Sequence, residues 1–188
     1  MNVLAGLLLL VAVMLATSSY VNHLDRKTHA SVSQHTYHQD FPDIQVRNLQ
    51  LVHADANGRH LYQIVAEELR HYIKKSTELD NIILRATPAD APNWYTQAAH
   101  GWIDQQNKLL MLYGPVFLKQ EAGNDAAPIE TITRDMMIDY QNSLAYSMAP
   151  ATVLNGSHLL SGTGVDIQLK KPVHVKLLSN VSGSHLLE

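Results

Sequence analysis

WYTQAAHGWIDQQNKLLMLYGPVFLKQ, residues 94–120, is the stretch on which the reading of this chain turns. Trp94, Thr96 and Ala98 share one parity. Gly101-Trp102-Ile103 follows, then a polar tip over Asp104–Lys108 and an apolar run from Leu109 to Tyr113. Gly114-Pro115 interrupts that run, and Val116-Phe117-Leu118 opens another strand. The pattern reads as strand, turn, strand, turn, strand. Alternate side chains of a strand face opposite sides, so such a unit buries one side and wets the other. One copy cannot enclose a core, whereas several stacked copies can.

Looser copies lie on either side. Upstream, Tyr62, Ile64 and Ala66 map onto Trp94, Thr96 and Ala98 at a displacement of 32. Downstream, Gln141-Asn142-Ser143-Leu144 stands 35 residues after Gln106-Asn107-Lys108-Leu109, and Ala149-Pro150-Ala151 stands 35 after Gly114-Pro115-Val116. Asn57-Gly58 is a strong hairpin signal between strands near Val46–Ala54 and Leu61–Ala66. A strand is expected around Leu79–Arg85, and a shortened last unit over Ser161–Leu169 and Pro172–Leu177. Only Glu67–Lys75 hints at a helical period after residue 43, and it is too short to outweigh its surroundings. The spacing predicts an all-β domain over 44–188, an antiparallel sandwich, jellyroll or roll. Such a sheet leaves two edges, and its first and last strands carry little charge to protect them. Val46, Leu49 and Leu51 on the first, and Val173, Val175 and Leu177 on the last, are therefore expected to pair with other chains by strand addition.

Residues 1–24 hold no charged side chain, and Val3–Leu15 is apolar apart from Gly6. That length suits a single transmembrane anchor. It also suits a cleaved signal peptide, with small residues at Ala16-Thr17-Ser18. Residues 25–43 read as a polar linker. Its His35, His38 and Asp40 have metal-ligand types but no scaffold to orient them, which favours solvated side chains.

Composition narrows the function. The net charge of −3 speaks against a nucleic-acid binder, and the absence of Cys removes disulfide and thiolate chemistry. No nucleophile elbow, phosphate loop, dinucleotide fingerprint or His-Glu-x-x-His motif occurs. Asp135 and Asp139 on one strand would stand ~13 Å apart, too far for a working carboxylate pair. His53, His60, His71, His100, His158 and His174 scatter over different strands, and solvated strand histidines are their default reading. No catalytic residue, metal site or cofactor is expected. What remains is apolar surface: Trp94, Trp102, Leu110, Leu112, Val116, Leu118, Ile132, Ile138, Met148 and Val165 exceed what a small sandwich needs. They read either as an ordinary core or as the lining of a sandwich open along one side.

These residues resemble the LptC family of lipopolysaccharide export proteins. The likeness rests on the apolar N-terminus, Tyr62-Gln63-Ile64-Val65-Ala66 leading to His71-Tyr72, Pro92-Asn93-Trp94 and Ala98. It continues through Leu110–Val116, Ile132-Thr133-Arg134-Asp135 and Ser161-Gly162-Thr163-Gly164-Val165. The chain departs from the family in lacking basic residues before the apolar run and in ending without a long tail. The resemblance implies an open β-jellyroll in the periplasm, held to the inner membrane by one helix. It implies partnership with the lipopolysaccharide ABC transporter (LptB, LptF, LptG) and with the bridge protein LptA. Lipopolysaccharide acyl chains would pass along an apolar groove, for which Ile64, Ala66, Leu79, Trp94, Leu110, Leu112, Val116, Ile132 and Ile138 are the expected lining. Two readings compete with it: a signal-cleaved, soluble LptA-like bridge protein, and a His-dependent metalloenzyme.

Overall fold

The computed structural model describes residues 41–72, 77–88, 91–104, 106–122 and 127–185. The expected N-terminal helix and nearly all of the expected linker lie outside them. Among the described residues no helix is long and apolar enough to cross a membrane.

Among the described residues nine strands follow one another: β1 (Ile44–Ala54), β2 (His60–His71), β3 (Thr77–Ala86), β4 (Trp94–Asp104), β5 (Leu109–Gln120), β6 (Ile129–Asp139), β7 (Leu144–Asn155), β8 (His158–Gln168) and β9 (His174–His185). They form one sheet in sequence order, each antiparallel to the next, with β1 and β9 as its edges. The all-β expectation holds. Glu67 to His71, the one segment with a helical hint, completes β2.

The repeat at a displacement of 35 is a whole hairpin. β4–β5 spans Trp94–Gln120 and β6–β7 spans Ile129–Asn155. Their tips are built alike. The Asn107 amide donates to Asp104 Oδ2 at 2.7 Å, and the Asn142 amide donates to Asp139 Oδ2 at 2.7 Å. Lys108 and Ser143 then both take positive φ, 61° and 58°. One detail differs from the expected pattern. Gly114-Pro115 is no turn, because β5 runs through it, so residues 94–120 hold two long strands rather than three short ones. Gly114 tolerates φ +77° without a Cβ penalty, and Pro115 points outward, where the strand needs no side-chain burial.

Such mid-strand irregularities recur across the sheet. Asn48, Asn81, Gly114, Asp135, Gly164 and Asn180 all have positive φ and lie near the middle of β1, β3, β5, β6, β8 and β9. The register shifts by one residue beside several of them. Neighbouring irregularities touch: the Gly114 N–H donates to Asp135 Oδ1 at 2.8 Å. A bulge bends its strand and raises the local twist. A row of bulges bends the whole sheet along one crease.

The bend closes the sheet on itself. Trp94, at the start of β4, donates its indole N–H to the Leu169 carbonyl, just beyond the end of β8, at 2.8 Å. In a flat sheet these groups would stand roughly 40 Å apart, given a ~4.8 Å strand spacing and a ~3.3 Å rise per residue. Their contact requires each strand to cross one layer, turn at the crease and return along the other. The product is a jellyroll-like roll with a closed crease, an open side and two strand edges.

Candidate functional site

The inner surface of the roll is mainly apolar. Close to the crease it is lined by Leu79, Ile82, Ala98, Leu112, Val116 and Met136, each at most 4 % exposed. In β3, β4 and β6 the irregularity resets which parity faces inward, whereas β5 and β7 keep one parity throughout. In β4 the inward set is Trp94, Thr96 and Ala98 before the irregularity, then Gly101 and Ile103 after it. Gly101 is inward because its neighbours fill the space: a Cβ there would lie 3.5 Å from Ile82 Cδ1 and 3.6 Å from Leu112 Cδ2.

Of the residues expected to line a groove, Ile64, Ala66, Leu79, Trp94, Leu110, Leu112, Val116 and Ile138 all face this interior. Ile132 does not. It stands on the outer face, 58 % exposed, while Ile138 is 5 % exposed. Unbroken alternation would put both on one side. At Asp135 (φ 49°) the backbone leaves the extended conformation, beside a register shift between Ile132 and Met137 whose extra residue lies on β7, and the inward parity of β6 reverses. Inward positions of β6 are thus Thr131 and Thr133, then Met136 and Ile138. Met148, counted with the apolar surplus, is likewise outside at 74 % exposure.

The six residues expected at the sheet edges lie on or beside β1 and β9, which are the edges. Leu49 is 9 % exposed, and Val46, Leu51, Val175 and Leu177 are half-buried, as is Val173 just before β9. Their side chains cover the ends of the interior. What the edges offer outward is backbone. Beyond Leu177 every residue of β9 is exposed, with Val181 at 58 %.

The interior is not uniformly apolar. Toward the open side it carries Tyr62, Thr96, Gln120, Thr131 and Tyr140, each less than a tenth exposed. Tyr62 Oη, Gln120 Oε1, Thr131 Oγ1 and Tyr140 Oη have no hydrogen-bond partner among the described residues. Burial raises the Tyr62 phenol far above its ordinary range. Burial, with the carboxylates of Asp104 and Asp139 beside it, pushes Tyr140 up to about 12, so both phenols stay protonated at neutral pH. Sequence reasoning passed over this polar set. One signal was available: Thr131 repeats Thr96 at the displacement of 35, an inward polar residue kept in both copies of the hairpin.

On the outer face an ionic ladder crosses β2–β4. Arg70 meets Glu68 at 2.6 Å and Asp80 at 2.8 Å, and Asp80 in turn meets His100 at 2.8 Å. The described histidines do not converge. His53 stacks on Tyr62, His71 meets Thr77, and His158 lies against His185. Among the described residues no three metal-ligating side chains come together. His35, His38 and Asp40 are outside the described residues.

The architecture has a solved counterpart. It is similar to LptH from Pseudomonas aeruginosa, described as the LptA homologous periplasmic component of the lipopolysaccharide transport device. The likeness has a TM-score of 0.53 at 9% identity and covers 65% of this chain and 93% of that one. At that identity the likeness speaks for the fold. No curated protein matches the sequence. The family described as lipopolysaccharide-assembly, LptC-related, matches residues 8–186, nearly the whole chain. On that match, with the folded nine-stranded sheet it accompanies, the chain belongs to the LptC-related lipopolysaccharide-assembly family.

Proposed function

We propose that this protein relays lipopolysaccharide across the periplasm from an inner-membrane ABC transporter (LptB, LptF, LptG) to a soluble bridge protein of the LptA type, without a catalytic step of its own. The observation that carries the reading is an apolar interior running from β1 to β8, with half-buried Val175 and Leu177 of β9 at its end, between two edges that are unpaired among the described residues. An acyl chain needs a dry path, and that surface supplies one. An open edge offers a row of backbone donors and acceptors, and a partner jellyroll that adds its own strand extends the sheet and the path together. In this reading β1 meets the transporter, β9 meets the bridge protein, and the segment 1–24 holds the domain at the inner membrane. The interior side chains are packed, so passage of a lipid requires the two layers to part along the open side, where Trp94 joins them.

Photo-crosslinkers at Val46 and Leu51 on β1, and at Val175 and Leu177 on β9, test the relay. The β1 positions should capture the transporter and the β9 positions the bridge protein. Capture of one partner by both edges, or of neither, sinks the assignment. The likeness to LptH also favours a second reading, a signal-cleaved soluble bridge protein. N-terminal sequencing of the mature protein separates them: a start near Ser18 supports the soluble form, and an intact terminus supports the anchored one.

A further inference from the structure

The inner surface changes character along a single strand. From the crease outward, β5 turns Leu112, Val116, Leu118 and Gln120 to the interior. Three aliphatic side chains thus lead to an amide at the open side. Beside that amide lies a cleft of ≈ 440 Å³ lined by Pro92, Gln120, Ile129, Asn155, Lys171 and Val173. Gln120 is 8 % exposed, and its Oε1 has no partner among the described residues. A buried carbonyl oxygen left unpaired is costly, and a leucine there would complete a dry core. Asn155 and Lys171 are both exposed at the same cleft, one supplying an amide and the other an ammonium.

We infer that this cleft is a head-group subsite that takes the anionic, hydroxyl- or amide-bearing end of a lipid. The inference rests on the reading of the interior as a lipid path. Gln120 Oε1 accepts a hydrogen bond from a hydroxyl or amide N–H of the head. Asn155 and Lys171 hold the anionic group at the rim. The acyl chains run inward past Leu118 and Val116 toward the crease. The order of groups along β5 matches the order of groups in such an amphiphile. It also sets a direction, with the head staying at the open side while the tails travel inside. The same chemistry belongs to phosphorylated saccharide lipids and to anionic glycerophospholipids.

The test uses the full chain in phosphatidylcholine nanodiscs, with lipopolysaccharide, phosphatidylglycerol and the neutral dye N-phenyl-1-naphthylamine as probes. The variants are Gln120→Leu, which keeps the volume and removes the acceptor, and Lys171→Gln, which removes the charge. Each should weaken binding of at least one anionic lipid by about tenfold, the loss expected for a charge-assisted or buried hydrogen bond. Dye binding and the unfolding midpoint should stay as in the wild type, or rise for Gln120→Leu. A loss confined to lipopolysaccharide identifies a saccharide head, and an equal loss on both lipids identifies a general anionic head. Unchanged affinity for both lipids in both variants overturns the subsite while leaving the lipid path standing. A wild-type protein that binds neither lipid nor dye overturns the lipid path itself.

Discussion

Ile132 and Ile138 share a sequence parity, yet the irregularity at Asp135 sends them to opposite faces, and that difference is measurable. Ile138 is 5 % exposed and pairs across the sheet with Leu110 on one side and Ala145 on the other. Truncating it to alanine removes buried carbons and leaves a gap that tightly paired strands cannot close. The expected loss is ~2–4 kcal/mol. Ile132 is 58 % exposed on the outer face, and its truncation removes only a strand-favouring side chain. The expected loss there is about 1 kcal/mol or less. For a domain of this size each kcal/mol moves the thermal midpoint by ~2–4 °C, so the two variants should separate clearly. Urea titrations of Ile138→Ala and Ile132→Ala, followed by Trp fluorescence, give both losses from one assay. Equal losses, or a larger loss at Ile132, would refute the parity reversal and with it the inward assignment of β6.

Other perturbations read other parts of the fold. Gly164 has φ +76°, and a Cβ there would sit 2.8 Å from Leu178 Cδ1, whereas Gly58 has φ +78° with open space around it. Both Gly→Ala changes incur a left-handed backbone cost of ~1–2 kcal/mol, and Gly164→Ala adds an overpacking cost of ~1–3 kcal/mol. Chemical denaturation should therefore rank Gly164→Ala well below Gly58→Ala, and equal midpoints would argue against the β8–β9 contact. The repeated hairpin tips carry a pH signature. The Asn107 side-chain amide and then its backbone N–H hold the Asp104 carboxyl below the usual range; at Asp139 burial opposes, but the Asn142 amide and N–H prevail. A folded-state pKa below the unfolded value of ~3.9 contributes stability above that pH, and the contribution is lost as pH falls through the lowered value. Wild-type protein should lose more stability on acidification below pH ~4 than the Asp104→Asn/Asp139→Asn double variant, and parallel pH profiles would count against the tip contacts.

Much of this was legible in the sequence because it depends on short-range chemistry. Asn57-Gly58 turns β1 into β2, and the match of Gln106-Asn107 with Gln141-Asn142 marks a duplicated hairpin tip. Alternation within half a strand also placed Tyr62, Ile64 and Ala66 together, and likewise Trp94, Thr96 and Ala98. What the sequence concealed was the crease. Parity reverses in β4 and β6 beside register shifts whose extra residues lie on β5 and β7, and nothing in Arg134-Asp135 or Ala99-His100 announces the reversal. Glycine at 114 and 164 is an ambiguous sign, since it serves a turn and a bulge equally well, and at Gly114-Pro115 the turn was the simpler reading. The polar groups of the open side were hidden for another reason. Gln120 and Tyr140 look like strand ends exposed to water until the fold brings the two layers together, and only the long-range contact between Trp94 and Leu169 shows that they do.

In the proposed relay, lipid travels on the inner surface of the roll and not on its outer face. Leu112, 1 % exposed inside, and Ile132, 58 % exposed outside, are the positions that divide these surfaces. The decisive measurement places a photo-crosslinking residue at each, in full-length protein reconstituted with the transporter and lipopolysaccharide. The predicted result is an ATP-dependent lipopolysaccharide adduct at Leu112 and none at Ile132. Adducts of equal yield at both positions, or an adduct at Ile132 alone, would contradict it.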